Sequence, residues 1–131
     1  MVRVLLDTTV LIDVLRGRRG ALARVRELRR LGDDQCTSAV NVEEVVRGLR
    51  PDERSAAGDL FRGLRVVPVS DREGWQAGDW RRLFGERGLT LSQGDCLVAA
   101  AALTIGARLA TGNPRHFPMR ELDVEHWPAG D

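Results

Sequence analysis

The chain has 131 residues, enough for one domain that buries its own hydrophobic core without disulfide staples. Its hydrophobic content of 43% marks a globular protein and not a disordered one, and its longest apolar run, residues 96–103, is too short to cross a membrane. The net charge is only +1, with 20 basic residues that are all Arg, so no global electrostatic pull toward nucleic acid exists.

The chain opens on Val2-Arg3-Val4-Leu5-Leu6-Asp7, an apolar, partly β-branched run that stops at a carboxylate. Such a run fits a strand buried on both faces of a parallel sheet. Because it carries Arg3 and Asp7 and no small-residue cleavage site follows, it is not a secretory leader, and the expected location is cytoplasmic. Thr8 and Thr9 offer hydroxyls for a helix start, and Val10, Leu11, Val14 and Leu15 recur at helical spacing. Asp7 is therefore placed where a central strand meets a helix, the edge at which open α/β sheets bind ligands; capping that helix is its alternative role.

Residues 21–31 form a second helix closed by Gly32, and the run of Arg from Arg16 to Arg30 reads as a solvated helix face, with a local basic patch as the alternative. A short strand over 35–38 leads through Ser38, a cap, into a helix over 40–49 whose core stripe is Val42, Val45, Val46 and Leu49. Pro51 and Asp52 start another helical stretch to about Gly63. Residues 64–69 read as a third strand, and Ser70 caps a long helix to about Arg87 in which Trp75 and Trp80 form a packing stripe. Ser92-Gln93-Gly94-Asp95 opens an almost wholly apolar helix to about Ile105. Residues 108–111 are a fourth strand, and 124–127 a weak terminal one. Strands alternate with helices throughout, which predicts an α/β domain over residues 1–131 with a mainly parallel sheet. Cys36 and Cys96 lie in predicted buried elements without C-x-x-C spacing and read as reduced core thiols, and with two scattered His they make no zinc site.

Three acids contradict their surroundings. Asp7 ends the most apolar strand, Glu44 lies in the 40–49 helix, and Asp95 opens the most apolar helix. Glu43 precedes Arg47 by one turn, which suits a surface ion pair. Glu44 shares a face with Val40 and Gly48, where a glycine lets another backbone come close, which leans toward Glu44 as the acid facing a site, but spacing alone leaves the choice between Glu43 and Glu44 open. Asp95 also completes a Ser92-x-x-Asp95 capping box, its alternative role. Converging carboxylates repel one another, and a hard divalent cation relieves the repulsion while activating water against a phosphodiester. No Walker-type or G-x-G-x-x-G loop and no recognisable nucleophilic triad competes with that chemistry.

Four segments carry a resemblance: Leu5-Leu6-Asp7-Thr8-Thr9-Val10-Leu11-Ile12-Asp13, Thr37-Ser38-Ala39-Val40-Asn41-Val42-Glu43-Glu44-Val45-Val46-Arg47-Gly48, Leu91-Ser92-Gln93-Gly94-Asp95-Cys96-Leu97-Val98-Ala99-Ala100, and Leu109-Ala110-Thr111-Gly112-Asn113-Pro114-Arg115-His116-Phe117. In this order they resemble the motifs of PIN-domain ribonucleases, particularly VapC toxins of VapBC toxin–antitoxin pairs. The second motif has a Glu four positions before a Gly, which selects Glu44 over Glu43. The resemblance implies a five-stranded parallel sheet flanked by helices and Mg²⁺-dependent RNA cleavage, with Mn²⁺ as a substitute. It implies a metal held by Asp7, Glu44 and Asp95, a homodimer, and a cognate VapB-type antitoxin. The fourth motif often supplies a further carboxylate where Asn113 or His116 stands; here Asn113 offers an amide oxygen instead, and Thr111 a hydroxyl that orients a water or a carboxylate. Thr9 is read as bonding a catalytic carboxylate or capping its helix, and His116 as an uninvolved loop residue, with phosphate contact or proton transfer as its alternative. The competing readings are a non-enzymatic PIN-like binding or dimerisation module, and a PIN-type nuclease outside toxin–antitoxin pairs.

Overall fold

The computed structural model describes residues 1–131. Five strands form one sheet in the order β3-β2-β1-β4-β5: β1 Arg3–Leu6, β2 Asp34–Ser38, β3 Arg65–Val67, β4 Arg108–Thr111 and β5 Val124–His126. All four pairings are parallel. Six helices cover the faces: α1 Thr8–Leu15, α2 Arg19–Leu31, α3 Ala39–Arg47, α4 Arg54–Arg62, α5 Asp71–Glu86 and α6 Gln93–Thr104. The expected α/β sheet is thus observed, and no helix is long and apolar enough to cross a membrane.

The first strand is central and alternates between two cores. Leu5 points to the side packed by α5 and α6 with Trp80, Cys96 and Ala99, while Val4 and Leu6 point to the side with Val10, Leu11, Leu28 and Val45. From β1 the chain first builds outward through β2 and β3, then returns to add β4 and β5 on the other side. The order therefore reverses at β1, and the crevice between the carboxyl ends of β1 and β4 is the switch point at which such sheets bind ligands. α6 is buried on nearly every side, and its run Ala99 to Ala102 lets its backbone lie close to both α5 and the sheet.

Three local expectations differ. The third strand is only Arg65–Val67: Pro68 has no N–H to continue the ladder. The helical stretch after Gly48 begins as a 3₁₀ turn, Pro51–Glu53, before α4. Val46 and Trp75 are exposed, while their expected companions Val45 and Trp80 are buried. The two thiols are free and buried as expected. Burial pushes both above the usual thiol range, that of Cys96 to about 11, so neither is a thiolate at neutral pH.

Candidate active site

Asp7 follows β1 directly and is 6% exposed. Its main-chain carbonyl accepts the first α1 bonds from Val10 and Leu11, but its carboxylate makes no capping bond. That side chain is aimed elsewhere: Oδ2 accepts from the Thr111 hydroxyl at 2.7 Å, and Oδ1 from the Asn41 amide at 3.2 Å. Burial is the main cause that raises its pKa above the ordinary carboxylate value. The Thr111 hydroxyl and the Thr8 backbone pull the other way, and the charges of Asp95 and Glu44 push it further up.

Asn41 organises the first half of the site. The β2–α3 junction is a reciprocal capping box in which Ser38 Oγ accepts from the Asn41 backbone and Asn41 Oδ1 accepts from the Ser38 backbone. This fixes the fully buried amide so that its NH₂ donates to Asp7 and, at 3.0 Å, to Thr8 Oγ1. Thr8 in turn donates to Glu44 Oε1 at 2.6 Å. One amide thus positions two carboxylates from different elements. Its signal in the sequence is the Ser38-x-x-Asn41 spacing at a helix start.

Glu44 faces the pocket, and Glu43 pairs with Arg47 at 3.9 Å in solvent. The close approach beside Glu44 occurs at Gly94 and not at Gly48: a Cβ on Gly94 would lie 3.0 Å from Glu44 Oε2. For the RNA cleavage that the resemblance implies, Glu44→Ala should therefore cost roughly tenfold or more, while Glu43→Ala should change it by less than about twofold, the range of a weak exposed pair. Single-turnover cleavage by the two purified variants checks this, and equal losses would reverse the assignment.

Asp95 enters from the first turn of α6. Ser92 Oγ accepts from the Asp95 backbone, yet the Asp95 carboxylate does not return the bond, so only half of the expected capping box forms. The freed carboxylate lies 3.3 Å from His116 Nδ1, which brings His116 into the site against its expected bland role. From β4, Thr111 accepts from the Asn113 backbone, and Asn113 lines the same pocket. Thr9 neither bonds a carboxylate nor caps its helix; its hydroxyl accepts from Gly112 N–H at 2.9 Å and pins the loop after β4.

Asp7, Thr8, Glu44, Arg47, Asp95, Asn113 and His116 are among the residues lining one cavity of about 370 Å³. All four sequence-selected residues, Asp7, Glu44, Asp95 and Asn113, are brought together there. The donor set is almost entirely oxygen, which fits a hard divalent cation. No three acidic, His or Cys side chains close on a single point as they stand, and each carboxylate is engaged by a hydroxyl, amide or imidazole partner. Apart from Asp7 the only other buried acid is Glu73, which serves the scaffold instead. It accepts from Ser70 and Thr104 and ties α5 to α6 away from the pocket.

The PIN domain family model matches residues 4–123. The chain is 35% identical over 118 residues to Ribonuclease VapC10 of Mycobacterium tuberculosis, covering 90% of this chain and 88% of that protein. It is 31% identical over 115 residues to Ribonuclease VapC19 of the same organism, covering 88% and 92%. Its fold superposes on DNA-bound VapBC from Salmonella typhimurium with a TM-score of 0.83 at 20% identity, covering 97% of this chain and 99% of that one. With three carboxylates and an asparagine at the switch point of a five-stranded parallel sheet, the chain belongs to the PIN-domain family, among the VapC ribonucleases.

Proposed function

We propose that this chain, a single domain over residues 1–131, is a metal-dependent endoribonuclease acting as the toxin of a type II toxin–antitoxin pair. The observation that carries the reading is the convergence of Asp7, Glu44 and Asp95, from three separate elements, on one oxygen-lined pocket. The VapC ribonucleases similar to this chain support RNA as the substrate. Structural neighbours that are VapBC assemblies support a VapB-type antitoxin as partner. The homodimer rests on the family resemblance.

Asp7, Glu44 and Asp95 would hold the ion, with the Asn113 amide oxygen as a neutral fourth donor. When bound, Mg²⁺, or Mn²⁺ in its place, polarises the scissile phosphodiester and makes a water acidic enough to attack it. The protein's part is to keep the donors in place. Asn41 and Thr111 hold the two Asp7 oxygens, Thr8 holds Glu44, and His116 holds Asp95. These partners restrict each carboxylate to one orientation, which is how groups behind the ligands tune a metal site. Having Asn113 where relatives of this type often carry an acid lowers the negative charge that an incoming phosphodiester must meet.

The test is cleavage of total cellular RNA by the purified protein in Mg²⁺, its loss in excess EDTA, and its return on adding Mg²⁺ or Mn²⁺. Undiminished cleavage in EDTA would overturn the metal chemistry. No cleavage of any RNA in either metal would leave a binding module as the reading.

A further inference from the structure

The acidic pocket does not stand alone on its edge of the sheet. Beside it lies a second cavity of about 280 Å³, lined by Gly112, Asn113, Pro114, Arg115, His116 and His126. Asn113 and His116 line both cavities, so the two adjoin. Their chemistry differs: the first holds three carboxylates beside Arg47 and His116, whereas the second holds no carboxylate, one guanidinium and two imidazoles, that of His116 being shared.

The second compartment is built on pinned backbone. Its floor, Gly112, is held by Thr9, and a Cβ there would meet Ala129 at 3.1 Å and Thr9 at 3.2 Å. The loop beyond folds into a 3₁₀ turn, Pro114–His116, closed by His116 N–H to Asn113 and Phe117 N–H to Pro114, with Phe117 buried as its anchor. His126 reaches it from the last residue of β5, opposite Thr111 in the ladder, so it arrives at the same carboxyl edge as the acidic groups. Arg115 makes no ion pair: its guanidinium is engaged by none of the chain's carboxylates.

We propose that the Arg115–His126 cavity is a subsite for the RNA phosphodiester next to the one being cleaved. The proposal rests on the ribonuclease reading and deepens it. A polyanion threaded over three carboxylates meets repulsion that a metal offsets only at the scissile position. The neighbouring phosphate leaves the acidic pocket across Asn113 and His116, and the compartment it enters there supplies the forked donors of a guanidinium, which match a phosphate's oxygens. His126, which lines the same cavity, adds a second N–H donor. The subsite therefore sets affinity and the position of the strand, and the acidic pocket performs the bond cleavage.

Binding is measured by fluorescence anisotropy in the Asp7→Asn background, so that no substrate is consumed, with a random-sequence single-stranded RNA oligonucleotide and with RNA dinucleotides that contain one phosphodiester. Arg115→Ala should weaken oligonucleotide binding about tenfold and lower the slope of log affinity against log salt by about 0.7, the value for one lost single-strand phosphate contact. Arg115→Lys should keep most of the salt slope. His126→Ala should weaken oligonucleotide binding severalfold. Neither alanine variant should alter dinucleotide binding by more than about twofold, because the second phosphate is absent. In the otherwise native enzyme the Arg115→Ala loss should appear in KM and not in kcat. Equal losses on both RNAs, an unchanged salt slope, or an Arg115 effect without a His126 effect would each overturn the subsite. Failure of the native protein to cut RNA would instead strike the ribonuclease reading, since the binding comparison is made without cleavage.

Discussion

Replacing Asp7 with Asn should abolish RNA cleavage and, in the metal-free protein, raise the melting temperature. The two effects share one cause. Asp7 is buried between β1, α3 and β4, where desolvation is the main reason its pKa is raised and the charges of Asp95 and Glu44 add to it. A carboxylate so placed makes the fold carry a charge it disfavours, which is useful only when a cation binds. Asn has the same shape and no charge. Asn41 can still donate to its oxygen, and the Thr111 hydroxyl, which donates to Asp7 now, can turn and accept from the new NH₂. Losing the charge removes several kcal/mol of transition-state stabilisation, about 10³-fold or more in rate.

The pH dependence fixes the sign. In the unfolded chain Asp7 ionises at its ordinary value near 3.8, and in the fold at a higher one. Below 3.8 both states are protonated and the group costs nothing. As the pH rises past 3.8 the unfolded state releases its proton first, and the native state loses relative stability until its own raised pKa is passed. Calorimetric melting in EDTA over a pH series should therefore show Asp7→Asn matching the native protein in acid and exceeding it toward neutrality. Adding Mg²⁺ should raise the melting temperature of the native protein more than that of the variant. Parallel profiles at every pH, or cleavage by Asp7→Asn within about tenfold of native, would remove Asp7 from the centre of the site.

The parts of this site that are legible in the sequence are those that break a local rule. Asp7 ends an apolar strand and Asp95 starts an apolar helix, and each contradiction is visible within a short stretch of chain. Glu44 is told from Glu43 in the sequence only by the resemblance, whose Glu stands four positions before Gly48, and it is the structure that sets Glu43 on Arg47 and Glu44 in the pocket. What stays hidden is what depends on pairing across the fold: Asn41 to Asp7, Thr8 to Glu44, Thr111 to Asp7 and His116 to Asp95. A polar residue at the third position of a helix reads as a cap from either viewpoint, and only the neighbouring strand reveals that Asn41 is also an inward donor. Helix phase misleads where the stripe follows the most apolar residues. On α3 the buried row is Asn41 and Val45, so Val46 turns outward. Glu73 does not stand out as a buried acid in the sequence because its partner Thr104 lies on another helix.

Helical phase also separates the two tryptophans of α5. Five residues apart at 3.6 per turn, Trp75 and Trp80 point about 140° away from each other and cannot share a stripe. The buried row is Glu73, Ala77 and Trp80, and Trp75 is 75% exposed. Trp80 is 2% exposed, lies in the core with Leu91, Phe117 and Leu122, and donates from Nε1 to Glu121 at 3.0 Å. Trp80→Ala should lower the unfolding free energy by about 3–5 kcal/mol, a large part of the roughly 5–15 kcal/mol typical of a single domain. Trp75→Ala should change the stability of the chain by less than about 0.5 kcal/mol. Trp80→Phe keeps most of the ring but leaves Glu121 without its donor, so it should fall between the two. Urea unfolding followed by far-ultraviolet circular dichroism distinguishes them without relying on tryptophan fluorescence. Because α5 packs on α6, and α6 carries Asp95, the Trp80→Ala protein should also lose cleavage at temperatures where it remains mostly folded. Equal destabilisation by the two alanine variants would mean that α5 turns a different face to the core, and the placement of Asp95 on the helix packed against it would fall too.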